Sequence, residues 1–286
     1  MDSRDIKLEP DKVENNQYLE KIYELQKNLL EGYIGIEGLP QYPININSKK
    51  SQILIKDFVG RVIEELAEGY ESLLMALELT NKNKLWLSDY NDSDLLQTLN
   101  HIQNAGEEMA DAMHFMIELL IYSNIYPEDI KSYINQKYTK EEGNGIIDLC
   151  MSIGNYFTNS ADNEICCGIN ILNLVKDDED LPKEIKSQDF RLLKCGVEIG
   201  NNIYEKYKPI IWDVTYHLNI ARNYLKNKPW KQSQEMTNEE KYQEEIVLAF
   251  IYMMGLFYKM GINQEDLYLL YFKKNQVNLF RQKSNY

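Results

Sequence analysis

Two pairs of acids are spaced for shared work. Glu65 and Glu68 lie three residues apart in RVIEELAEGYESLL, and Glu108 and Asp111 repeat that interval in EEMADAMHF. Residues three apart sit about 60° from one another around a helix, so each pair can address a single volume. On the first segment Phe58, Val62, Leu66, Leu73 and Leu77 form an apolar arc. Glu65 falls at the edge of that arc with Glu68 beside it, while Glu64 and Glu71 point away. On the second segment Leu99, Ile102, Met109, Met113, Met116 and Leu120 make the arc, and Glu108 borders it with Asp111 and Phe115 following. Clustered carboxylates repel and resist desolvation, and Mg²⁺, a hard cation that takes oxygen ligands, relieves both. The spacing alone leaves an alternative in which these are ordinary solvated acidic faces.

The opposite charge gathers at the other end of the chain. The last 20 residues, LYLLYFKKNQVNLFRQKSNY, hold Lys273, Lys274, Arg281 and Lys283 and no acid. Lys274, Asn278 and Arg281 share one helical stripe at i, i+4 and i+7. Such a stripe can grip phosphate oxygens, the guanidinium through forked hydrogen bonds, and steady charge that develops during reaction. A second basic stretch, ARNYLKNKPWKQ, carries Arg222, Lys226, Lys228 and Lys231, and reads more simply as a surface segment pairing with the acidic remainder.

The elements that must hold these groups are helices. Leu19, Ile22, Gln26, Leu29 and Tyr33 recur at helical spacing, which predicts a helix over 16–31. Glycines and two prolines in YIGIEGLPQYPININS break it, and Ser51 is placed as the cap of a long helix over 52–80. A third helix runs toward Pro127, and further helices are expected over 197–224, 238–260 and 264–281, with a break at KNKPWKQSQ. No segment shows alternating strands with hairpin signals. The expected fold is an all-α helical bundle in which 1–15 is a polar arm, 16–286 a single catalytic domain and 140–196 an inserted helical subregion.

Bulk properties narrow the partners. A net charge of −14 disfavours nucleic-acid polymers and anionic membranes, so a phosphate-bearing partner needs a bridging metal or a local basic patch. No run approaches the ~18 apolar residues of a membrane span, and the start MDSRDIKLEPDKVENN lacks the apolar core of a signal peptide, which predicts a soluble cytoplasmic protein. Four cysteines, two of them adjacent, match neither zinc-ligand nor redox spacing, and three scattered histidines argue against a His-rich metal site.

In order along the chain, these motifs resemble the all-α dimeric dUTPase and dCTPase family, related to MazG-type nucleoside triphosphate pyrophosphohydrolases. LQKNLLEG resembles the family's LQxxLN motif, EELAE and EEMADAMHF look like its ExxE and ExxDxxHF metal motifs, and KKNQVNLFRQKSNY is similar to its closing KNxxNxxRQxxGY. The resemblance covers 19–125 and 197–286. It implies that Glu65, Glu68, Glu108 and Asp111 bind Mg²⁺, two or more ions per site, and that Gln26 helps recognise the base. It also implies that Lys274, Asn278 and Arg281 contact phosphate and sugar, with Lys274 and Arg281 steadying charge while Glu65 or Glu68 orients the attacking water. The implied reaction turns a deoxypyrimidine triphosphate, dUTP foremost and dCTP alongside, into the monophosphate and pyrophosphate, in a homodimer. Leu30 stands where the family has Asn, and Asn285 where it has Gly. The first departure bears on uracil recognition, because base choice rests on hydrogen bonds that a missing partner leaves unmade. Two alternatives remain from the sequence: a broader MazG-like hydrolase of other or modified nucleotides, and a non-enzymatic helical interaction protein on the same fold.

Overall fold

A computed structural model describes residues 6–14, 17–82, 92–137, 207–227, 230, 232, 235–260, 262 and 264–284. Seven helices account for most of these residues: α1 (Tyr18–Glu37), α2 (Lys49–Lys82), α3 (Asp92–Tyr122), α4 (Pro127–Lys137), α5 (Lys208–Tyr224), α6 (Glu239–Lys259) and α7 (Gln264–Ser284). No strand occurs among the described residues. The expected insertion at 140–196 lies outside them. Within the expected N-terminal arm, 6–14 form no helix, and Ile6 is buried.

The apolar arcs become the core. Phe58, Val62, Leu66 and Leu73 of α2 and Ile102, Met109, Met113, Met116 and Leu120 of α3 are all buried in one continuous cluster. α2 lies along α3, α5 along α6, and α7 packs on α1 and α3. α6 carries a run of buried residues from Ile246 to Phe257 with little polar interruption, as a helix surrounded on all sides requires. Even so, no described helix is long and apolar enough to cross a membrane.

Several boundaries differ from the sequence expectation for local reasons. Ser48, not Ser51, caps α2: its hydroxyl accepts from the Ser51 N–H at 3.4 Å, and its carbonyl accepts from Gln52 N–H at 3.0 Å. α1 continues through Gly32 and Gly35 and stops at Gly38, whose φ of 66° is the left-handed conformation that ends helices. Gly32 is needed inside α1 because a Cβ there would meet the side-chain amide of Gln282, which bonds Leu29 O at 2.8 Å and draws α7 against α1. Pro127 does more than end α3. It opens α4 at a position where its missing N–H costs nothing, and Asp129 accepts from the Tyr126 N–H at 2.9 Å to close the turn.

One buried amide knot ties distant segments together. Gln52 donates to Ile46 O and Thr237 Oγ1 and accepts from Asn227 N. Asn227 in turn donates to Asn47 O and Glu235 O and accepts from Glu235 N. The knot fixes the α1–α2 connection and the start of α2 against the α5–α6 connection.

Candidate functional site

Contacts along α2 and α3 run in opposite senses. Asn104 donates to Ser72 at 2.9 Å, Glu108 lies by Gly69, and Arg61 covers the Phe115 ring at 5.3 Å from its centroid. The two helices are therefore antiparallel, and their acid pairs meet side by side. A Cβ on Gly69 would stand 3.0 Å from Met109 Cε and 3.5 Å from Ala105 O, so glycine there lets the helices approach beside the acids.

That approach brings carboxylate oxygens of Glu65, Glu68 and Glu108 within 4.8 Å of one another. Glu65 and Glu108 are half-buried and Glu68 is exposed. Burial pushes the Glu65 carboxyl up to about 8, with the Asp111 charge and a hydrogen bond to Glu108 adding to the effect. Burial likewise raises Glu108, against the hydrogen bond it accepts from Glu65. In this arrangement Glu65 donates a proton to Glu108 across their hydrogen bond. Several oxygen donors this close, with no nitrogen or sulfur, suit a hard divalent cation. Beyond Glu68 and Glu108 the groove opens into a cleft of ≈670 Å³ lined in part by Glu71, Ser72, His101, Asn104 and Glu107.

Asp111 stands next to the cluster, engaged elsewhere. Its Oδ2 is 2.5 Å from Lys274 Nζ in a largely enclosed pair. Burial raises the Asp111 carboxyl, opposed by Lys274 and by Arg281. The C-terminal stripe thus reaches the acids through Lys274 by contact and Arg281 through its field, while Asn278 accepts from Arg281 Nη1 at 3.3 Å. Of the second basic stretch, Lys228 and Lys231 lie outside the described residues.

Gln26 lies deeper. It is fully buried, donating to Glu118 Oε1 at 2.7 Å, with its carbonyl oxygen at the Tyr271 hydroxyl and 2.9 Å from His114 Nδ1. His114 stacks on Tyr271 with centroids 3.9 Å apart, and burial pushes its imidazole down to about 3, leaving it neutral. Leu30 is completely buried among apolar neighbours.

The all-α fold agrees with an independent comparison: a family model described as dUTPase matches residues 76–286. The chain belongs to the dUTPase family. The match to the dUTPase family takes in α3 through α7, with Glu108, Asp111, Lys274, Asn278 and Arg281, and begins after Gln26, Glu65 and Glu68. No curated protein and no solved structure matches the chain.

Three residues near the groove of this dUTPase-family chain escaped sequence reasoning: Arg61, Glu118 and Tyr271. Glu118 left a trace, being the lone charge in the apolar run HFMIELLIY and lying on the stripe of Glu108, Asp111 and Phe115. Tyr271 left none, since its partners come from other helices, and Arg61 left none beyond its pairing with Asp57 four residues earlier at 2.9 Å, because its reach toward Phe115 and Glu118 depends on α3.

Proposed function

We propose that the chain is a Mg²⁺-dependent pyrophosphohydrolase of deoxypyrimidine triphosphates, acting on dUTP and alongside it dCTP, and releasing the monophosphate and pyrophosphate. The observation that carries this reading is the close set of Glu65, Glu68 and Glu108 beside the Lys274–Asp111 pair in a chain of the dUTPase family. Glu65, Glu68 and Glu108 would hold the cation, with Asp111 joining them once Lys274 turns to substrate. Bound there, Mg²⁺ supplies charge neutralisation on phosphate oxygens and acidifies water. Glu65 or Glu68 orients the attacking water and takes its proton as the α–β phosphoanhydride breaks, Glu65 being the more enclosed of the two. Lys274 and Arg281 bind the phosphate oxygens and stabilise the charge that passes to pyrophosphate, and Asn278 holds the guanidinium in place.

Gln26 is the base-recognition residue of this reading. Its amide is enclosed by Glu118, His114 and Tyr271, so a base reaches it only by taking over one of those partners. The enzyme is proposed to work as a homodimer in the cytoplasm, without nucleic-acid or membrane partners.

A panel of deoxynucleoside triphosphates, with released pyrophosphate measured with and without Mg²⁺, tests the reading. dUTP should be cleaved best, dCTP next, and excess chelator should stop both. Cleavage of a purine triphosphate with dUTP and dCTP untouched would overturn the substrate class, and undiminished turnover in chelator would overturn the metal.

A further inference from the structure

We propose that Glu118 is a positioning residue acting through a buried relay, Glu118–Gln26–His114–Tyr271. With a proton on Glu118 the Gln26 amide turns its N–H groups toward His114 and Tyr271, and without it the amide reverses and His114 changes tautomer. The oxygen and nitrogen ends of an amide have nearly the same shape, so its orientation follows from what its partners can donate and accept.

Consider first an ionised Glu118, which accepts only. Gln26 must then present N–H across the 2.7 Å contact, leaving its carbonyl to face Tyr271 Oη and His114 Nδ1. A neutral His114 must carry its proton on Nδ1 to match. Its bare Nε2 then faces the Tyr271 carbonyl 3.3 Å away, acceptor against acceptor. An imidazolium would satisfy both sides, but burial holds His114 neutral.

With Glu118 protonated, its O–H donates to the Gln26 carbonyl, the Gln26 N–H groups donate to His114 Nδ1 and Tyr271 Oη, and His114 Nε2–H donates to the Tyr271 carbonyl. The acceptor pair at Nε2 is relieved, and the Tyr271 O–H turns away from Gln26. All four residues are buried, so a mismatch has no water to relieve it. The groups facing Glu118 are Arg61 from α2, Tyr33 and Glu37 from α1, Tyr122 from its own helix and Tyr271 from α7. Burial outweighs the Arg61 guanidinium and the Gln26 hydrogen bond and pushes the carboxyl up to about 8. The structure shows the arrangement that belongs to an ionised Glu118, with Gln26 donating to it; a carboxyl that keeps its proton up to about 8 favours the reversed one below that pH, and mild alkali restores the first.

The position of the relay gives it consequence. It joins α1, α3 and α7, beginning seven residues past Asp111 and ending at Tyr271, three residues before Lys274. Its two states offer different hydrogen-bond patterns on the α1 side and different holds on the backbone that carries Lys274.

Long-range ¹H–¹⁵N spectra of the full chain, labelled at histidine and recorded from pH 6.5 to 9.5, read the tautomer directly. This needs no substrate, so its outcome is separate from that of the turnover assay. His114 should carry its proton on Nε2 at the acid end and shift to Nδ1 with a midpoint near 8, and Glu118→Gln should hold one tautomer throughout. A wild-type His114 that keeps one tautomer across the range overturns the proposal. So does a Glu118→Gln protein that titrates like the wild type. If that variant does not fold, the wild-type titration decides alone.

Discussion

Gln52 and Gln26 are both completely buried glutamines that tie helices together, yet their surroundings differ in kind. Gln52 sits among amides, a hydroxyl and backbone groups, none of which titrates, and Asn227 beside it has both polar atoms of its side chain engaged. Gln26 sits between a carboxyl, an imidazole and a phenol. The first arrangement has one hydrogen-bond pattern at any ordinary pH and can only hold. The second has two patterns that differ by a proton, and it lies beside the acid groove. The titratable set shares α3 with the acid cluster, and the neutral amides fasten chain segments.

Breaking the acid side should give the largest effect, and on turnover alone. Glu65→Gln removes a proposed metal ligand worth several kcal/mol to the transition state, so turnover should fall by on the order of a thousandfold. The melting temperature should hold or rise, because repulsion among the carboxylates is relieved. A steady-state assay paired with thermal melting checks both.

Breaking the neutral knot should do the reverse. Asn227→Ala removes three part-buried hydrogen bonds, to Asn47 O and Glu235 O and from Glu235 N, each worth about 0.5–1.5 kcal/mol, and the total loss should be roughly 2–4 kcal/mol. Urea unfolding should show it, while kcat of the remaining folded protein stays within about twofold. A comparable loss of kcat would erase the distinction between the two regions.

Lys274→Ala takes away one charge-assisted contact of about 1.5–3 kcal/mol, so KM for dUTP should rise by about 10- to 100-fold. Competition by pyrophosphate should weaken in parallel. Equal inhibition of variant and wild type by pyrophosphate would remove Lys274 from the phosphate site.

The smallest effect separates the two glutamines by pH. The folded chain holds the Glu118 proton above the carboxyl's ordinary 4.5, up to about 8. Its stabilising contribution is thus complete below about 4.5 and is lost as pH rises through about 8. Glu118→Gln has no such dependence. The melting temperature of the wild type relative to this variant should therefore fall by a few degrees between pH 5 and 9, reflecting roughly 1–3 kcal/mol. A constant difference would mean that Glu118 does not titrate in this range.

The sequence was most legible where one helix face answers one environment. The buried arcs of α2 and α3 and the outward turn of Glu64 follow from 3.6-residue periodicity alone, and so does the convergence of Glu65, Glu68 and Glu108 once two arcs share a core. Ends were harder. Ser48 and Ser51 are both good caps, and the choice fell to which hydroxyl met a free N–H. Pro127 signals a stop and also makes a start, and the stop signal hides α4. Least legible were pairings across the chain, such as Lys274 with Asp111 or Tyr271 with Gln26, separated by well over a hundred residues. Periodicity says which way a side chain points and nothing about what it meets.

α3 alone carries Glu108, Asp111, His114 and Glu118, spread over about 15 Å at 1.5 Å per residue. Losing or gaining a single residue between Asp111 and His114 would swing everything beyond it by about 100° and carry the imidazole and the buried carboxyl off their partners. Point substitutions can drift on its outer surface, but its length between these groups is frozen. Descendants of this chain would be expected to vary in letters along α3 and never in count.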